Sequence, residues 1–274
     1  MHFFSETSLA QKIPVYFSYY LKAGTKHSLH PPFLSELIGF VFDPDRIYYD
    51  FNMLAHASAQ ISSDFRLIPL DEFSNARHQS GISISSYYNR SRHSASEYER
   101  LYRLSLFLKP DSILELGSSV GMSGLALALA SKQARMITVE GNSFLTIFCN
   151  KLFYQNNLNQ IQCKNLSFDS ALSQKQEALY DLVFLDGDHE YHNTIKYTKK
   201  ILDLCSDTAV IVMDDIHWSS GMYKSWKELI KDPRVQCSLE TLRWGMLFKN
   251  KALTKGEYIY IPQKFKPWKI GLFQ

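Results

Sequence analysis

Two apolar runs end on acids. Asp181-Leu182-Val183-Phe184-Leu185 is followed by Asp186-Gly187-Asp188-His189, and Ala209-Val210-Ile211-Val212-Met213 by Asp214-Asp215-Ile216-His217-Trp218. Such continuous runs read as strands buried on both faces of a parallel sheet, with the acids at their carboxyl ends. Carboxylates taken out of water need a cation, a proton or a hydrogen-bond network. A metal is the simplest partner. Oxygen ligands from Asp186, Asp214 and Asp215, completed by water or substrate, suit Mg²⁺ first, with Mn²⁺ or Ca²⁺ as alternatives. Zn²⁺ stays open because His189, His192 and His217 are near in sequence, although no Cys joins them and neither H-E-x-x-H nor C-x-x-C spacing occurs. The competing reading makes these acids loop N-caps and cofactor contacts, with no metal.

A third site precedes them. Ser112-Ile113-Leu114-Glu115-Leu116-Gly117-Ser118-Ser119-Val120-Gly121-Met122-Ser123-Gly124 predicts a buried strand, a tight glycine turn and a helix start. A dinucleotide fingerprint needs G-x-G-x-x-G to seat a pyrophosphate, and glycines at 117, 121 and 124 do not supply it. An acid beside the loop suits an ammonium group better than a phosphate; an ordinary strand-to-helix turn is the bland alternative. Met136-Ile137-Thr138-Val139-Glu140 then reads as a second strand closing on an acid, one βαβ step later, where a carboxylate accepts hydrogen bonds from ribose hydroxyls. Asp169, in Ser167-Phe168-Asp169-Ser170, either caps a following helix or frames a base, or does both.

The Glu115-x-Gly117-x-x-x-Gly121 pattern resembles the first motif of the class I S-adenosylmethionine (SAM) dependent methyltransferases. Leu185-Asp186-Gly187-Asp188-His189 followed by Met213-Asp214-Asp215-Ile216-His217-Trp218-Ser219-Ser220-Gly221 resembles, more narrowly, the metal-dependent O-methyltransferases of the catechol and caffeoyl-CoA type and related bacterial enzymes with a D-G-D-H segment. The resemblance spans about residues 95 to 250. It implies SAM on Glu115, Gly117, Ser119, Gly121, Ser123, Glu140, Gly141, Asp169 and Asp186, and a divalent metal on Asp186, Asp214 and Asp215. Where that family places a catalytic Lys, this chain has His189, with Asp188 and His217 as rival bases and a structural His189 also open. The implied reaction is attack of a deprotonated hydroxyl of a small molecule on the sulfonium methyl, an EC 2.1.1 transfer. A metal-independent transferase, a SAM-binding protein with other chemistry and an NAD dehydrogenase are the alternatives, the last fitting the fold but not the glycine spacing.

The elements that must position these residues alternate strand and helix, as in an α/β, doubly wound, mostly parallel sheet. The resemblance implies a Rossmann-like sheet of seven strands with an antiparallel last strand. Gly221 to Lys231 predicts a helix, and Val235–Leu239 with Trp244–Phe248 the closing strands. Ser94-x-x-Glu97 is a capping box opening a helix through Leu108, stopped by Pro110. The expected divisions are 1–93, a helical extension with a mobile loop over Ser74–Ser96; 94–254, the SAM-binding domain; and 255–274, a tail with Tyr258, Tyr260, Phe265, Trp268 and Phe273.

Composition agrees with an enzyme. The 274 residues, 45% hydrophobic and 21% charged, suffice for a full core, and a net charge of +3 is too small to imply nucleic acid or an anionic membrane. Cys149, Cys163, Cys205 and Cys237 are isolated and read as reduced packing residues. The short apolar patch from Val15 to Leu21 reads as neither a transmembrane span nor a secretory signal, so a cytoplasmic location is expected. The expected partner is a small-molecule hydroxyl acceptor, with a homodimer left open.

Overall fold

The computed structural model describes residues 9–69, 81–175 and 178–268. By their contacts these form two compact units, one of the described residues up to Phe42 with those from 178 on, the other Asp43–Lys175. The first unit opens with α1 (Leu9–Lys22) and α2 (Pro32–Val41).

The second unit runs through α3 (Asp50–Ser62), β1 (Leu67–Ile68), β2 (Ile82–Ser83), α4 (Ile84–Ser91), α5 (Ala95–Leu108), β3 (Ser112–Leu116), α6 (Met122–Ala130), β4 (Arg135–Glu140), α7 (Ser143–Gln155), β5 (Ile161–Asn165) and α8 (Phe168–Ser173). Its strands β3, β4 and β5 are parallel neighbours in that order, with Leu116 opposite Val139 and Glu140 opposite Asn165. Every residue of β3 is buried, and α6 is apolar around most of its circumference, as a helix covered on several sides requires. The capping box forms as its spacing predicts, the Ser94 N–H donating to Glu97 Oε2 at 2.6 Å.

One expectation fails here. The described part of the supposed mobile loop, residues 81–96, contains β2 and α4, because Ser83 caps the helix by accepting from the Ser86 N–H and because Ile84 and Tyr88, one turn apart, are buried. Residues 74–80 lie outside the described residues.

The first unit continues with β6 (Tyr180–Leu185), α9 (Tyr191–Leu204), β7 (Cys205–Met213), α10 (Ser220–Leu229), β8 (Cys237–Glu240), β9 (Gly245–Phe248) and β10 (Gly256–Ile259). Their order is β10-β8-β9-β7-β6. β6 and β7 are parallel, and β9 inserts antiparallel between β7 and β8. Apart from the β1–β2 pair, the described strands, mostly parallel, number three in one unit and five in the other, eight where seven were expected. The additional strand is β10, drawn from the expected tail and parallel to β8. Its outer edge is closed by Gly24, whose N–H donates to Ile259 O at 2.8 Å and whose carbonyl accepts from the Ile261 N–H at 2.9 Å. Two backbone bonds thus remove an exposed strand edge. Phe273 lies outside the described residues. No described helix is long and apolar enough to cross a membrane.

Candidate active site

The loop expected to hold the cofactor joins β3 to α6 and has three left-handed residues, Gly117 (φ 102°), Ser119 (φ 51°) and Gly121 (φ 84°). The Gly117 and Ser118 N–H groups both donate to Val139 O, tying the turn to β4. Beneath it, Thr138 Oγ1 donates to Glu115 Oε2 at 2.5 Å and also pairs with Ser118 Oγ. Glu115 is fully buried, and the Gly124 backbone approaches so closely that an added Cβ would stand 2.9 Å from Glu115 Oε2. The acid expected to face an ammonium group therefore braces the loop from below.

At Gly121 an L side chain would be strained by the backbone and would also meet Cys149 Sγ at 3.1 Å and Phe153 Cζ at 3.2 Å. Gly121→Ala is expected to cost on the order of 2 kcal/mol, read as a lower denaturant midpoint at unchanged slope. An unchanged midpoint would show that the loop adopts another conformation.

Glu140 ends β4 with its carboxylate pinned at both oxygens. Oε2 accepts from the Ser119 N–H at 2.9 Å and Oε1 from the Asn142 N–H at 2.8 Å. Asn142 in turn caps α7 through the Leu145 N–H, and Asn165 Nδ2 holds the carbonyls of Glu140 and Gly141 at 3.1 and 2.5 Å. Two backbone donors thus fix the orientation of the carboxylate. Tyr87 of α4 stands over the loop, its Oη 3.4 Å from Ser119 Oγ. Ser123 is buried in the first turn of α6. Asp169 is in the first turn of α8, but the cap is Ser167, which accepts from the Ser170 N–H at 3.1 Å. The capping alternative for Asp169 is thereby corrected.

The acid cluster belongs to the first unit. β6 delivers Asp186, and His189 Nε2 lies 3.9 Å from Asp186 Oδ1, an electrostatic pair too long for a hydrogen bond. Asp188 (φ 49°) is committed to the turn before α9, accepting from Asn193 Nδ2 at 2.9 Å while its carbonyl accepts from the Glu190 N–H at 2.7 Å. That makes it a poor rival to His189. β7 delivers Asp214 and Asp215. Asp214 is fully buried, its N–H donates to Leu185 O at 2.9 Å, and both its oxygens accept from Arg243, Oδ1 from Nε and Oδ2 from Nη2, each at 2.7 Å. Nη2 also lies 3.3 Å from Asp215 Oδ1.

Arg243 comes from the β8–β9 hairpin. That turn closes through the Thr241 N–H to Trp244 O at 2.8 Å, and the Arg243 carbonyl accepts from the Ile216 N–H at 3.2 Å. A single Arg in a turn carries no spacing signal, so sequence reasoning missed it.

Burial first, and then the charge of Asp214, push the Asp215 carboxyl up to about 7 against the opposing pull of Arg243. In the unfolded chain it titrates near 4. The folded state binds this proton more tightly, so the associated stability is full below pH 4 and is lost as pH rises through about 7, a loss on the order of 2–4 kcal/mol. Asp215→Asn is therefore expected to melt several degrees above the parent at pH 8 and alongside it near pH 4, by calorimetry. A gap independent of pH would refute the linkage.

His217 is not available as a base. Nδ1 lies 3.0 Å from Leu242 O, which can only accept, and Nε2 lies 3.1 Å from Glu240 Oε1, while Glu240 Oε2 accepts from Trp226 Nε1 at 2.9 Å. The ring stacks on Tyr223, with Tyr16 and Tyr19 of α1 at its sides. His217 is thus a buried brace. Tyr16 is a further residue that its sequence did not mark, near enough to Asp215 that the carboxylate adds to the burial that raises its phenol. Among the described residues all four cysteines are buried free thiols, and burial pushes Cys205 and Cys237 up to about 12 each. They are inert packing groups.

Residues 114–216 match a family model described as a methyltransferase domain. The matched segment is less than half of the chain. The match contains the glycine loop, Glu140, Asp186, Asp214 and Asp215. No curated protein matches the sequence. Among solved structures, the chain is similar to an O-methyltransferase from Bacillus cereus in complex with SAH, at 17% identity over 78% of this chain and 96% of that one, with a TM-score of 0.53. It is also similar to the O-methyltransferase TomG from Streptomyces achromogenes, involved in tomaymycin synthesis and in complex with SAM, at 17% identity over 79% and 96%, with a TM-score of 0.53. A SAH-bound methyltransferase from Podospora anserina matches at 17% identity over 76% and 100%, with a TM-score of 0.52. At these identities the likeness is one of fold, and that fold is the Rossmann-like fold that the sequence motifs resemble.

Proposed function

We propose that the protein transfers the methyl group of SAM to a hydroxyl of a small molecule. The observation that carries this reading is Glu140, oriented by two backbone N–H groups at the carboxyl end of β4 beside a left-handed glycine loop, inside the matched methyltransferase domain. That donor set fits a nucleoside: the carboxylate takes the two ribose hydroxyls. The SAM and SAH bound to structural neighbours support the same cofactor.

When bound, SAM supplies an electrophilic methyl on a sulfonium. The chain's work is to position the acceptor and manage one proton. His189 takes that proton from the acceptor hydroxyl. With hydrogen on Nε2, which lies 3.9 Å from Asp186 Oδ1, Nδ1 is the atom that takes the proton. Asp215, with its carboxyl near neutrality, is a second proton acceptor in the same unit.

A divalent metal on Asp186, Asp214 and Asp215 is the finer form of this reading. The donors do not fit it as arranged, because both oxygens of Asp214 are engaged by one guanidinium that also reaches Asp215.

Calorimetric titration of the full chain with SAM, SAH and NAD tests the proposal. Micromolar binding of SAM and SAH with none of NAD is expected; binding of NAD alone would overturn it.

A further inference from the structure

In the catechol and caffeoyl-CoA type that the motifs resemble, the charge partner of the two acids after the fifth strand is a divalent metal. Here Arg243 has that place. Its Nε and Nη2 form a fork to Asp214, the geometry in which a guanidinium matches a carboxylate best, and the same Nη2 reaches the neighbouring Asp215. The fork is held by both of its ends. Asp214 is fully buried at the end of β7, and the Arg243 backbone is fixed by the Ile216 N–H in a hairpin turn that Thr241 and Trp244 close. Arginine cannot lose its proton, so the positive charge is permanent. An ion held by Asp214 or Asp215 would sit a few ångströms from it and would have to displace donors already in place.

We propose that Arg243 is the resident counter-ion of the Asp214–Asp215 pair and that this site binds no divalent metal. The inference rests on the methyltransferase reading only for the comparison with metal-dependent enzymes. The charge that a metal would bring from solution is built into the chain, and Arg243 is a positioning residue: it holds the acids in one arrangement and reaches the acceptor through them.

The test is titration of the chelator-treated full chain with Mn²⁺, followed by electron paramagnetic resonance of the free ion. The parent is expected to show no saturable site below the millimolar range. Arg243→Ala, which uncovers the acids, is expected to gain one site at least tenfold tighter than any in the parent, and Arg243→Ala/Asp214→Asn to lose it. A single micromolar Mn²⁺ site in the parent that Asp214→Asn abolishes would overturn the inference, and that measurement stands even where Arg243→Ala fails to fold. SAM binding measured on the same samples reports on the methyltransferase reading alone. Its failure would remove that reading and leave the counter-ion assignment intact.

Discussion

Arg243→Ala is expected to lower the melting temperature by on the order of 10 °C. The substitution removes a half-exposed side chain, which by itself costs little. What it leaves behind is expensive: Asp214 has no exposed surface, and its carboxylate would lose two charge-assisted bonds of 2.7 Å. Breaking a buried ion pair from one side costs about 3–5 kcal/mol, because the remaining charge is neither hydrated nor paired. For a chain of this size each kcal/mol moves the midpoint by about 2–4 °C. Adding Asp214→Asn to Arg243→Ala should restore most of the loss, since the stranded charge is then gone, and a double-mutant cycle separates that coupling from the packing of the arginine stem. If the double variant melts no higher than Arg243→Ala, the pair does not account for the stability.

Glu140→Ala is expected to weaken SAM and SAH binding by about 100-fold or more. Two hydroxyls donating to an ionised acceptor contribute about 1.5–3 kcal/mol each, so losing both removes on the order of 3–6 kcal/mol of binding. The carboxylate is already held in place by the Ser119 and Asn142 N–H groups, so the ligand does not have to order it, which keeps the contribution near the upper part of that range. Glu140→Gln, with one acceptor oxygen left, should fall between the two. Calorimetry gives the affinities, and a melting curve on each variant shows whether the loop survives. Affinity within threefold of the parent, in a folded Glu140→Ala protein, would exclude Glu140 from the nucleoside site.

Much of the α/β unit was legible because its signals are local. The run over residues 181–185 and the glycine turn at 117–121 depend on neighbours a few residues away, and so does the Ser94–Glu97 capping box, which forms with its predicted partners. The segment before Ser94 misled because one Ser cap and two apolar residues a turn apart are a weak pattern among polar neighbours, yet they suffice once Ile84 and Tyr88 have a core to enter. The tail misled for a different reason. β10 is short, and what makes it a strand is the free edge of β8 and the backbone of Gly24, which lies more than 200 residues away.

The site divides in the same manner. The order of residue types along the chain determined that acids stand at the ends of β4, β6 and β7 and that a left-handed glycine loop follows β3, since each is a matter of which residue ends an apolar run. Only the tertiary structure decided what those acids do. It buried Glu115 under Thr138 and Gly124, closed both nitrogens of His217 onto Leu242 and Glu240, and set Arg243 against Asp214 and Asp215. The partners in these pairs are 9 to 29 positions apart, and for His217 and Asp214 they meet because β9 turns back antiparallel to β7 and carries the hairpin loop to its end. Charge pairing acts across a few ångströms of space and leaves no period in the sequence, so which cation faces which acid is settled by the turn of the chain.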